Sequence, residues 1–95
     1  MKPPAGATAH RPTVLATRGM VASPHYLASA AGLLVLRAGG NAIDAAIATA
    51  AVCSVVYPHM CSLGGDNFWL IYDAKTRTVR ALNGSGRSGE RCTID

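Results

Sequence analysis

The glycine-rich stretch Asn83–Ser88 combines the residue types best suited to contacting a ligand. It offers backbone N–H groups, the hydroxyl of Ser85 and the guanidinium of Arg87, which together are donors suited to holding an anion. Composition alone favours a plainer interpretation, in which the stretch is a flexible connector. Ser85 and Arg87 are therefore candidate ligand-binding residues, with the connector as the alternative.

Asp44 is the only acidic residue in the long apolar run that follows position 41, which invites a catalytic interpretation. It lies three residues after Asn41, however, and Asn followed by an acid at this spacing is a helix-capping pattern. We therefore expect Asp44 to cap a helix, and no residue of this chain is predicted to be catalytic.

The histidines and cysteines do not form a metal-binding pattern, because their spacing is wide and contains no CxxC pair. They are His10, His25, His59, Cys53, Cys61 and Cys92. We predict no metal and no cofactor, with structural or solvent-facing histidines and a buried Cys53. An odd cysteine count without a disulfide framework favours a reducing compartment, and the N-terminus lacks the apolar core of a signal peptide. A cytoplasmic location is expected.

Composition indicates a piece of a larger protein. Of the 95 residues, 49% are hydrophobic and 15% are charged, which is fewer charges than a small independent domain normally needs at its surface. The net charge of +4 comes from scattered residues, with no basic run interleaved with aromatics, so nucleic acid is not an expected partner. We expect a disordered lead-in over residues 1–12 and a truncated domain over 13–95.

Two helices are expected to precede the ligand-binding stretch. Ser23 and Pro24 predict a helix start, and the spacing indicates a helix through Ala38. Gly32 is expected to let another backbone approach closely. The predicted apolar face consists of Leu27, Ala31, Leu34 and Ala38. Upstream, residues 13–16 and 20–22 are apolar runs too short to assign, although either could be a short strand.

The stretch Gly39–Ala46 predicts a joint between the two helices. Its glycines, and Gly40 in particular, can take the positive φ of a helix C-terminus, and Asn41 can begin the next helix. The apolar run then extends over residues 42–57. A membrane span would need about twenty apolar residues, so a helix buried between layers is preferred.

A β-hairpin is expected after a loop over residues 58–66. Residues 67–72 are aromatic and aliphatic on both alternating faces, which is typical of a strand covered on both sides. A polar turn over residues 73–77 and a second strand over 78–82 complete the hairpin. The chain is thus expected to be of the α/β (α+β) class, two helices followed by a β-hairpin.

Several of these motifs together resemble the γ-glutamyltranspeptidase family, over about residues 13–87 and at the start of its large subunit. They are Gly19–Ser23, Gly39–Ala46 and Gly64–Phe68. The resemblance implies part of an αββα sandwich of the N-terminal-nucleophile hydrolases. It also implies a precursor that cuts itself before a threonine, whose hydroxyl then attacks an amide with the new α-amino group as base. The implied partners are the remainder of the same precursor, including the small subunit that carries the nucleophile, and a small-molecule amide or γ-glutamyl substrate.

Two departures from the family pattern bear on function. No residue here matches the nucleophilic threonine, so the chain is expected to be inactive alone. Ser85 occupies the position at which the transpeptidases have an arginine that binds the substrate α-carboxylate, and Arg87 follows two residues later. The resemblance thus implies substrate-binding roles for Ser85 and Arg87 and points to the acylase or amidohydrolase branch. The alternative is a non-catalytic small helical binding or membrane-associated protein.

Overall fold

The computed structural model describes residues 12–92 as two helices followed by a two-stranded sheet. Helix α1 spans Tyr26–Arg37, α2 spans Ala42–Val56, β1 spans Asn67–Asp73 and β2 spans Thr78–Gly84. This order confirms the predicted two helices and hairpin. The predicted lead-in lies outside the described residues except for Pro12, and neither short apolar run upstream of α1 is a strand.

The start of α1 differs from the prediction, because His25 and not Ser23 is its N-cap. The imidazole Nδ1 of His25 accepts a hydrogen bond from the backbone N–H of Leu27 at 3.2 Å. The hydroxyl of Ser23 bonds instead to the carbonyl of His25 and to the hydroxyl of Ser29. The expected structural role of His25 is confirmed, and it satisfies one of the donors that a helix N-terminus leaves free.

The two helices pack through small side chains. The buried residues are Ala28 and Gly32 on α1 and Ala45, Thr49 and Cys53 on α2. A Cβ added to Gly32 would collide with the hydroxyl of Thr49 and lie 3.1 Å from the carbonyl oxygen of Ala45. The predicted close backbone approach at Gly32 is confirmed.

The predicted apolar face of α1 is not the face that contacts α2. Leu27 is 45% exposed and Leu34 is 65% exposed, because α2 approaches the face that carries Ala28 and Gly32. Leucine side chains would hold the helices apart, whereas the alanine and glycine let the two backbones come close. The contact face was thus determined by side-chain size rather than by hydrophobicity.

The joint between the helices is a Schellman motif followed by a capping box. The N–H of Gly40 donates to the carbonyl of Val35 at 2.9 Å, and Gly39 has the positive φ of +91°. Positive φ was expected at Gly40, but at that residue the constraint is space, since an added Cβ would lie 2.5 Å from a methyl group of Val35. The Asn41 and Asp44 side chains each accept the other's backbone N–H, at 2.9 and 3.2 Å, which confirms the predicted cap.

The hairpin pairs β1 and β2 antiparallel, from Asn67 opposite Gly84 to Asp73 opposite Thr78. Its turn contains Arg77 at a φ of +55° and an Asp73 carboxylate that accepts the N–H of Lys75 at 2.9 Å. Within residues 12–92 most apolar side chains of the sheet are exposed, including Leu70 at 79%. The cover expected on both faces of β1 therefore stays a prediction.

No helix between residues 12 and 92 has both the length and the apolar character needed to cross a membrane. Helix α2 has 15 residues and buries one face against α1, while Ile47 and Val55 are exposed.

Candidate functional site

The candidate site is the open end of the hairpin, where β2 finishes. The strand continues through Gly84, so Asn83 and Gly84 belong to the sheet and not to the loop that the sequence predicted. Gly84 fits because an added Cβ would lie only 2.8 Å from the carbonyl oxygen of Asn67 on the paired strand. Ser85 and Arg87 follow directly, and both are exposed. The structure thus brings the two predicted residues to one exposed edge.

Two side chains hold the backbone of this segment. The N–H of Ser85 donates to Oδ1 of Asn83 at 3.0 Å, a local Asx-type contact. The N–H of Gly86 donates to Oδ1 of Asp66 at 2.8 Å, and this bond spans 20 residues of chain. Both backbone donors already have acceptors within the chain. A bound anion at this edge would therefore rely on the Ser85 hydroxyl and the Arg87 guanidinium.

A cleft of about 490 Å³ opens beside this segment, between α2 and the loop that precedes β1. Asp66 belongs to both features, since it lines the cleft and accepts the N–H of Gly86. The half-buried Trp69 and the exposed Ile47 of α2 give the cleft an apolar wall. The cleft thus combines an apolar wall with polar groups, and Ser85 and Arg87 are not among the residues that line it.

The other residues considered from the sequence do not join this site. Asp44 is engaged in the cap of α2, and His25 caps α1. His59 is exposed, and its ring centre lies 4.2 Å from that of Tyr57. Among residues 12–92 no group of three or more potential metal-ligating side chains occurs together.

The buried cysteine lies away from the hairpin. Cys53 is 5% exposed, which confirms its predicted burial, and its thiol is free, as are those of Cys61 and Cys92. Burial raises the pKa of the Cys53 thiol above its ordinary value, and the neighbouring Cys61 adds to the shift. Burial and the raised pKa both make Cys53 a poorer nucleophile than an exposed thiol.

No side-chain role was predicted for Asp66 or for Asn83, although Asn83 begins the predicted stretch. Asn83 could have been found, because an Asn two residues before a glycine-rich turn commonly accepts a local N–H. Asp66 could have been found from the hairpin alone, since pairing Asn67 with Gly84 places the residues just beyond them side by side.

Comparison with known proteins identifies relatives of this chain. The sequence profile of the family described as γ-glutamyltranspeptidase matches residues 28–95. The chain is 57% identical over 83 residues to the glutathione hydrolase-like YwrD proenzyme of Bacillus subtilis, covering 87% of this chain and 16% of that protein. It is 47% identical over 81 residues to the oxamate amidohydrolase proenzyme of Klebsiella pneumoniae, covering 85% and 15% of the two chains.

A solved structure has the same fold over this region. The γ-glutamyltranspeptidase of Helicobacter pylori superposes with a TM-score of 0.76 at 36% identity, covering 86% of this chain and 23% of that one. The observed helices and hairpin match the N-terminal part of that enzyme, an N-terminal-nucleophile hydrolase, as the predicted fold class requires.

Proposed function

The chain belongs to the γ-glutamyltranspeptidase family, and we propose that it is the N-terminal part of the large subunit of a self-processing amidohydrolase. The observation that carries this proposal is the match to two proenzymes along most of the chain, although the chain spans only 16% and 15% of their lengths. The remainder of the precursor supplies the nucleophile and covers the apolar side chains exposed here.

The proposed reaction uses the threonine nucleophile that the family resemblance implies. Its hydroxyl attacks the amide carbonyl of the substrate while the α-amino group of the same threonine takes the hydroxyl proton. The tetrahedral intermediate collapses, the C–N bond breaks, and the amine leaves with that proton. Water then hydrolyses the acyl-enzyme ester and releases a carboxylic acid. In this chain, Ser85 and Arg87 contact the acyl group and take no part in bond making.

The proposed substrate class is acyl amides that lack an α-amino-acid head. A guanidinium holds a carboxylate by two charge-assisted hydrogen bonds, whereas the hydroxyl of Ser85 offers one neutral donor. Support also comes from the backbone N–H groups of Ser85 and Gly86. These groups already donate to the side chains of Asn83 and Asp66, so they are not available to a substrate carboxylate. Glutathione-type γ-glutamyl donors are thus weaker substrates of the proposed enzyme than simple acyl amides.

This proposal is tested with the processed full-length protein and two anilides, γ-glutamyl and butyryl, which differ in the amino-acid head. We expect wild type to give the higher kcat/KM with butyryl anilide. Ser85→Arg should shift the ratio towards γ-glutamyl anilide by roughly ten- to a hundredfold, the effect of one charged hydrogen bond. Ser88→Arg is the matched control, which adds the same charge three residues away.

Arg87 provides the decisive variant, because its guanidinium could replace the missing arginine. A strong γ-glutamyl preference in wild type that survives Arg87→Ala would overturn the proposed substrate class. A processed enzyme that hydrolyses neither anilide nor any other amide would overturn the proposed reaction.

A further inference from the structure

Asp66 places a carboxylate inside the candidate substrate-binding segment. Its Oδ1 accepts the N–H of Gly86 at 2.8 Å, and Gly86 lies between Ser85 and Arg87 in the chain. The contact is close enough that a Cβ on Gly86 would lie 3.0 Å from the same oxygen. The negative charge is thus held beside the peptide that joins the two predicted binding residues.

This placement has two consequences for a carboxylate-bearing substrate. The backbone N–H that could receive the substrate carboxylate is already bonded to Asp66. The carboxylates of Asp66 and of the substrate would also repel each other. Solvent at this exposed edge weakens the repulsion but does not remove it. A substrate without a carboxylate does not need this N–H and is not repelled by Asp66.

We propose that Asp66 is a specificity-determining residue that selects against acyl donors carrying a carboxylate at the Ser85–Arg87 segment. The inference rests on the proposed function, since it requires that this segment contacts the acyl group. It assigns to Asp66 two separable effects: its hydrogen bond orders the segment, and its charge discriminates between donors.

The test uses glutaryl anilide and butyryl anilide, which differ only by one carboxylate, with the processed full-length enzyme. Asp66→Asn keeps an oxygen acceptor for Gly86 and removes the charge. We expect it to raise kcat/KM for glutaryl relative to butyryl anilide by about three- to tenfold, the effect of one like charge at several ångströms in a solvent-like dielectric. The gain should shrink as ionic strength rises, because salt screens exposed charges.

Asp73→Asn is the matched control, because the Asp73 carboxylate also accepts a backbone N–H, at the opposite end of the hairpin. It changes the net charge equally and should leave the glutaryl-to-butyryl ratio unchanged. Asp66→Ala removes the hydrogen bond as well, and should raise KM for both anilides. Normalising all rates to the amount of processed enzyme separates these effects from altered folding or maturation.

The outcomes distinguish this inference from the function on which it rests. If Ser85→Ala and Arg87→Ala both leave the ratio of the two anilides unchanged, the segment does not contact the acyl group, and the proposed substrate class and the role of Asp66 both fail. If those variants change the ratio and Asp66→Asn does not, or does so equally at low and high salt, the role of Asp66 alone is overturned.

Discussion

At the scale of single residues, two aspartates use their carboxylates in the same way with different consequences. Asp44 accepts the N–H of Asn41 and stabilises the start of α2, whereas Asp66 accepts the N–H of Gly86 and orders the exposed segment that follows β2. The first bond contributes to the stability of one helix. The second joins the residue before β1 to the segment after β2 at the open end of the hairpin, and so it can influence what that edge binds.

The buried thiol gives a prediction about chemical reactivity. Burial restricts access to the Cys53 thiol and raises its pKa, which lowers its thiolate fraction, whereas Cys92 is exposed. Because the thiolate is the reacting form, iodoacetamide should alkylate Cys53 at least about tenfold more slowly than Cys92. Peptide mass mapping of the folded full-length protein after timed alkylation measures both rates.

The same mapping in denaturant is the control, since unfolding should make the two rates similar. Equal rates in the folded protein would mean that the helix pair opens readily, or that Cys53 is not buried in it.

The residues that could be predicted from the sequence are those with local partners. The Asn41–Asp44 cap and the burial of Cys53 depend on neighbours within one or two helical turns. The Asp66–Gly86 bond requires the register of the hairpin, which brings together residues 20 apart. The roles of Ser85 and Arg87 depend on a substrate, and both stay predictions.

At the scale of elements, the packing of the two helices shows what sequence periodicity could not provide. The positions and bounds of α1 and α2 followed from caps and glycines, within about two residues at each end, as is normal for helix boundaries. The contact face followed only in part, because a close backbone approach was predicted at Gly32, whereas the apolar spacing did not show that the leucines of α1 lie away from α2. Small residues are preferred over leucine at this contact because they let the backbone of α2 approach closely.

The helix contact gives a stability prediction. Gly32→Ala should destabilise the full-length protein by about 1–3 kcal/mol through overpacking, since the new methyl group would collide with the Thr49 hydroxyl. The double variant Gly32→Ala, Thr49→Ala should recover part of this loss, because it removes the colliding atom. Denaturant titration of each variant measures the free energy of unfolding.

Gly39→Ala is the reference for this series. A Cβ there meets nothing within 4 Å, so only the strain of the +91° φ remains, at about 1–2 kcal/mol. If Gly32→Ala were neutral, the close contact between α1 and α2 would be wrong, whereas a loss without recovery by Thr49→Ala would place the clash at the Ala45 carbonyl instead.

At the scale of the whole molecule, the described residues expose far more apolar side chains than a self-contained fold would. Leu34, Leu70 and Leu63 are each more than half exposed, and the buried core consists of small residues. Exposed apolar surface of this extent normally contacts another layer of protein. In the proposed enzyme that layer is the remainder of the precursor. The cytoplasmic location expected from the sequence stays a prediction.

The most direct test of the central claim is the maturation of the full-length precursor. We predict that the purified protein separates into two chains on a denaturing gel. N-terminal sequencing should show that the smaller chain begins with a threonine. Substituting that threonine with alanine should leave a single uncleaved chain without amide hydrolase activity, because alanine lacks the hydroxyl that acts as the nucleophile. A wild-type protein that remains one chain after prolonged incubation would contradict the account.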